Sequence, residues 1–172
     1  MENIRVLGLG SVLTGDDAFG PTVVKVLEAR YDLDAGVSVE DIGTPGLNMI
    51  PYISGVDALI VVDTVRSEGK PGEIHLYRGP DLLKHPPGLR LGPHDPGLKE
   101  ALMSAEFSGS GPKEVLLIGA IPDAVESGIG LSEKVAGAVP RAVEAVVAEL
   151  ARLGKAPVPR KTQAEPDLWW ER

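Results

Sequence analysis

The sequence contains no cysteine. That absence excludes disulfides, thiolate metal sites and a cysteine nucleophile, and it fits a reducing compartment. Aromatic residues are also scarce, at 4% of the chain. The core must therefore be built from Val, Leu, Ile and Ala, which suits a buried sheet with helices on its faces. No apolar run approaches the roughly 20 residues that span a bilayer. The N-terminus has no basic region and no small-residue cleavage site, and it runs almost directly into Ile4-Arg5-Val6-Leu7-Gly8. The chain is expected in the cytoplasm, without membrane insertion. Runs of Lys or Arg are missing too; the loose pair Arg160-Lys161 is all there is. With 25 acidic and 17 basic residues the formal net charge is −8. Such a field repels nucleic acid, which is not expected as a partner.

What is present fits one globular domain of 172 residues. Short apolar runs at Ile4–Leu9, Val37–Ile42, Ala58–Val62 and Val115–Ile118 predict strands. Ala58–Val62 is apolar throughout, as expected of a strand covered on both faces. Glu73–Tyr77 alternates polar and apolar residues and predicts a half-exposed edge strand. The turn Glu68–Gly72 before it suggests an antiparallel hairpin with the preceding strand. Helices fill the gaps. Val23, Val24, Leu27 and Tyr31 share one helical face after Gly20-Pro21. Asp95 and Pro96 form a cap and first turn for a helix whose inner face is Leu98, Ala101, Leu102 and Ala105. A last helix is capped by Ser132 and repeats at Val135, Val139, Ala142, Val143, Val146, Leu150 and Leu153, with a kink or break expected at Pro140. The order predicts a three-layer α/β/α sandwich on a mainly parallel five-stranded twisted sheet, one edge strand being antiparallel. Residues 1–154 form the domain and 155–172 a Pro-containing tail, read either as loose or as docked on the body or a partner through Trp169-Trp170.

The segment Gly8-Leu9-Gly10-Ser11-Val12-Leu13-Thr14-Gly15-Asp16-Asp17 is glycine-rich but makes no phosphate cradle. A dinucleotide fingerprint needs Gly where Leu13 stands. A P-loop needs Lys where Asp16 stands, and two carboxylates would repel phosphate. The loop instead sets a pair of acids at the carboxyl end of the first strand, one of them expected to cap the following helix. Asp63 closes the most apolar run, at the strand end where open α/β sheets bind ligands. Three histidines are present. His75 shares an exposed strand face with Glu73, and His85 lies in a Pro-rich loop, so both read as bland. His94 is held between Pro93 and the Asp95-Pro96 cap, as a ligand should be. Asp17, Asp63 and His94 would make a three-ligand site with open positions, suited to a borderline divalent ion such as Zn²⁺ or Ni²⁺. Asp63-Thr64 also matches the first two residues of the aspartic-protease triplet, but Val65 replaces its Gly and there is no second copy.

Several blocks in order resemble the nickel–iron hydrogenase maturation proteases. They are Gly8 to Leu13 with Asp16 to Gly20, Asp41 to Gly46, Leu59 to Asp63 with Pro71-Gly72, Pro93 to Leu98, and Ile118 to Pro122 with Gly128 to Ser132. The chain departs from the family at Ser11, usually Asn, and at Ala18, often Gly. The resemblance covers about residues 4 to 160. It implies an endopeptidase that removes the C-terminal extension of a hydrogenase large-subunit precursor after nickel insertion. It further implies that Asp17, Asp63 and His94 bind nickel supplied by that subunit, with no permanently bound cofactor. The same resemblance assigns partner recognition to Asp41, Gly43, Thr44 and Gly46, and the protease is expected to act as a monomer. Two alternatives remain at this point: a self-contained metal-dependent hydrolase, and a non-catalytic hydrogenase assembly factor.

Overall fold

A computed structural model describes residues 1–84, 88–89 and 97–172. In chain order it contains β1 (Ile4–Leu9), α1 (Phe19–Arg30), β2 (Tyr31–Asp32), β3 (Val37–Gly43), α2 (Ile50–Ile53), β4 (Ala58–Arg66) and β5 (Ile74–Arg78). There follow α3 (Gly79–Lys84), β6 (Gly88–Leu89), α4 (Gly97–Phe107), β7 (Glu114–Ala120), α5 (Glu133–Ala136), α6 (Val139–Arg152) and β8 (Val158–Pro159).

Period-two alternation sorts the strand residues onto two faces. On one, Ile4, Val6, Ile60, Val62, Leu116 and Ile118 pack against Phe19, Val23 and Leu27 of α1 and Ala142, Val143 and Val146 of α6. On the other, Leu7, Leu9, Leu59, Val61, Val65 and Leu117 meet Met49, Ile53 of α2, Leu82 of α3, and Leu98, Ala101, Leu102 and Ala105 of α4. The result is the expected three-layer sandwich. Full burial of each Val, Leu, Ile, Phe or Met among these is worth about 1.5–3 kcal/mol.

The main sheet runs β3-β1-β4-β7-β5, parallel except for the antiparallel edge strand β5, with the short β6 pairing onto β4 beyond that path. The expected edge strand is thus found, but not as a hairpin. Strand β7 enters between β4 and β5, pairing Ile60↔Leu116 on one side and Leu76↔Ile118 on the other. The physical reason is burial: apolar β7 needs cover on both faces, whereas alternating β5, with Leu76 56% exposed, tolerates an edge.

One local expectation changes and two are resolved. Helix α1 ends at Arg30, so Tyr31 starts β2 rather than extending a helical face. The break near Pro140 is complete: α5 stops at Ala136 and α6 starts at Val139 with Pro140 in its first turn, where the missing N–H costs nothing. The tail docks on the body. Strand β8 pairs with β2, Arg160 N–H donates to Arg30 O at 2.9 Å, and Trp170 is buried edge-on against Trp169.

Candidate active site

The crossover from β1 to β3 leaves in one direction and the return to β4 goes in the other. A crevice therefore opens at the carboxyl ends of β1 and β4, where such sheets place ligands. Both predicted acids stand there. Strand β4 continues to Arg66, but its pairing with β1 stops at Val62, opposite Gly8, so Asp63 is the first residue beyond that ladder. Asp63 still pairs with Gly119 of β7, which fixes its backbone.

Close packing of glycines brings the Asp17 loop onto this edge. Gly10 has φ +133°, and a Cβ built there would lie 1.8 Å from the Asp17 carbonyl oxygen. Only glycine lets the chain return that closely. Gly20 is as tightly placed, since a Cβ would meet Leu9 O and Val62 O at 2.3 Å. That contact seats the start of α1 over the gap between β1 and β4.

Asp17 and Asp63 are both buried. Ser11 N–H donates to Asp17 Oδ2 at 2.8 Å, and the Thr64 hydroxyl donates to Asp17 Oδ1 at 3.4 Å. Thr64 N–H donates to Asp63 Oδ1 at 2.7 Å. One threonine thus orients both carboxylates, its hydroxyl toward one and its amide toward the other. The loop itself is closed by Ser11, whose Oγ accepts from Leu13 N–H at 3.3 Å and from the Thr14 hydroxyl at 3.2 Å. Serine at this departure from the family pattern therefore still supplies hydrogen bonds.

Asp16 has a different task. Its Oδ2 accepts from the amides of Asp123 and Ala124, both at 2.8 Å, and from the Ser132 hydroxyl at 2.9 Å. Its Oδ1 accepts from Ser132 N–H at 2.7 Å. Neither acid caps α1 through its side chain, contrary to expectation. Ser132 likewise precedes α5 without a side-chain cap, because its hydroxyl is committed to Asp16. A buried carboxylate needs several donors, and the loop after β7 supplies them.

The segment read as partner recognition borders the same crevice. Asp41 pairs with Gly8 and Gly43 with Leu9, with an irregularity between them. Gly43 takes φ +62° and its amide donates to Asp41 Oδ1 at 3.0 Å, while its carbonyl accepts from Gly10 N–H at 2.9 Å. Thr44 is exposed, and Gly46 opens a 3-10 turn, Gly46–Met49. His94 lies outside the described residues, as do Asp95 and Pro96. Among the described residues no three His, Asp or Glu side chains form a metal-sized group. Likewise outside lies His85, whereas His75 pairs with Glu73 at 3.2 Å on the sheet edge. Sequence reading missed Thr64, whose only signal was its place directly after the acid, and missed the partners of Asp16, which lie more than 100 residues away.

Residues 21–149 match the family HycI, described as hydrogenase maturation protease. The chain is 35% identical to the hydrogenase 2 maturation protease of Escherichia coli K12 over 92% of its own length and 96% of that protein's. Its fold superposes with a TM-score of 0.84 on the hydrogenase maturating endopeptidase HybD from E. coli, at 34% identity, covering 92% of this chain and 98% of that one. A NiFe hydrogenase maturation protease HycI from Thermococcus kodakarensis matches with a TM-score of 0.67 at 25% identity, over 88% of this chain and 93% of that chain.

Proposed function

We propose that the chain, a member of the hydrogenase maturation protease family and a peptidase, processes a hydrogenase large-subunit precursor at its C-terminus, and that Asp17, Asp63 and His94 form its reacting site and read nickel already inserted in that precursor. The observation that carries this reading is the pair of buried carboxylates oriented by Thr64 at the switch point of the sheet.

Two carboxylates and an imidazole are donors suited to a borderline divalent ion. Nickel arrives as part of the substrate and supplies Lewis-acid polarisation of the scissile carbonyl or of water. The chain's own groups position that centre and hold the proton that water releases as it attacks, before the proton passes to the leaving amine. Because three ligands reward its presence, nickel-loaded precursor binds best. Asp41, Gly43, Thr44 and Gly46 line the neighbouring edge and receive the partner. No permanently bound cofactor is required, and the reading places a monomeric enzyme in the cytoplasm. No helix among the described residues is long and apolar enough to cross a membrane.

The test mixes the purified chain with nickel-loaded and nickel-free precursor and follows the precursor's mass. Shortening of the loaded form alone is expected. Equal cleavage of both forms removes nickel from the recognition step.

A further inference from the structure

We propose that Leu13 and Ile129 form an apolar lip on the crevice that receives apolar side chains of the substrate polypeptide beside the scissile bond. The inference rests on the peptidase reading and adds a specificity element to that site. Leu13 is 61% and Ile129 58% exposed, although both belong to loops anchored on buried carboxylates. Thr14 and Gly128 form a parallel bridge, and the two apolar residues stand one position before and one position after it. Gly128 N–H donates to Leu13 O and Gly15 N–H to Gly128 O, each at 2.9 Å.

These loops are tied to the carboxylates at both ends. Ser11, two residues before Leu13, holds Asp17 through its amide, and Ser132, three residues after Ile129, holds Asp16 through its amide and hydroxyl. The lip thus adjoins Asp17 through the Leu13 loop, while the Ile129 loop is anchored on its neighbour Asp16. Gly128 and Gly130, on either side of Ile129, have φ +152° and +99°, yet a Cβ at either would meet nothing within 4 Å. They are required by backbone conformation, and that conformation presents Ile129 to solvent. Two fixed apolar side chains beside a polar site are what a peptidase needs to desolvate and register an extended segment.

Exposed Met103 and Phe107 on α4 provide a control, being apolar but belonging to neither loop. The experiment measures cleavage of nickel-loaded precursor by wild type, by Leu13→Ser/Ile129→Ser, by Leu13→Met/Ile129→Leu and by Met103→Ser/Phe107→Ser. KM should rise about tenfold in the serine double variant with kcat little changed. The apolar double variant and the α4 variant should match wild type. An unchanged KM in the serine variant, with wild type active, overturns the lip and leaves the peptidase reading intact. The same holds if the serine variant alters only the oligomeric state, which would make the patch a contact between copies. A wild-type chain that cuts no precursor overturns both.

Discussion

The Thr64 hydroxyl donates to Asp17 Oδ1 at 3.4 Å, joining the loop after β1 to a residue of β4 across the crevice. Because the Thr64 amide also holds Asp63, a single residue links the two acids. Thr64→Val keeps the shape and the amide but removes the hydroxyl. A buried hydrogen bond to a charged group is worth about 1.5–3 kcal/mol, so the variant should lose roughly tenfold or more in cleavage rate while Thr64→Ser stays near wild type. Single-turnover cleavage of precursor by the two variants checks this.

Asp16 and Asp17 are neighbours with different partners, and substitution should separate them. Asp16→Ala leaves four donors from Asp123, Ala124 and Ser132 without their acceptor. A loss of about 3 kcal/mol or more in unfolding free energy is expected, read as a lower Tm. Asp17→Asn keeps an acceptor oxygen for Ser11 N–H and should lose activity with little change in Tm. Equal Tm losses in the two variants would contradict the division.

The acid limb of stability should report Glu149. Its carboxylate accepts from Arg78 at 2.8 and 2.9 Å and from Arg152, and hydrogen bonding to Arg78 is the main cause that holds its pKa down to about 2, from 4.5. The folded value lies below the unfolded one, so this stabilisation is complete above about pH 4.5 and fades as pH falls toward 2. Discounted for the half-exposed Arg78, the contribution is about 2 kcal/mol. Urea unfolding of wild type and Glu149→Gln should differ by that amount at pH 7, and the difference should shrink as pH falls from about 4.5 and vanish only below about 2.

Much of this was legible before the structure. Unbroken Ala58–Val62 marked a strand covered on both faces, with Asp63 beyond the apolar run. The polar alternation of Glu73–Tyr77 marked an edge. The hairpin was wrong because a turn signal is local, whereas the insertion of β7 depends on pairing between residues about 40 apart in sequence. The Asp16 contacts were hidden for the same reason. The expectation that one of the two adjacent acids caps α1 failed because nothing local pointed to Ser132. Periodicity also could not report that Tyr31 would leave α1 to pair with the tail.

Trp170 tests whether that tail belongs to the fold. It is 4% exposed, and the tail is tied to α1 by Arg160 N–H to Arg30 O, Ala164 N–H to Ala29 O, and Arg30 Nη1 to Gln163 Oε1. Trp170→Ala should cost about 3 kcal/mol, whereas exposed Trp169→Ala should cost under 1 kcal/mol. Thermal unfolding monitored by circular dichroism measures both.

The most direct test of the account is the rate at which Asp17→Asn and Asp63→Asn variants shorten nickel-loaded precursor, followed by mass under single-turnover conditions. Both variants should fold as wild type does and cut about 100-fold slower or not at all. Cleavage near the wild-type rate by either folded variant would contradict the central claim that Asp17 and Asp63 form the reacting site.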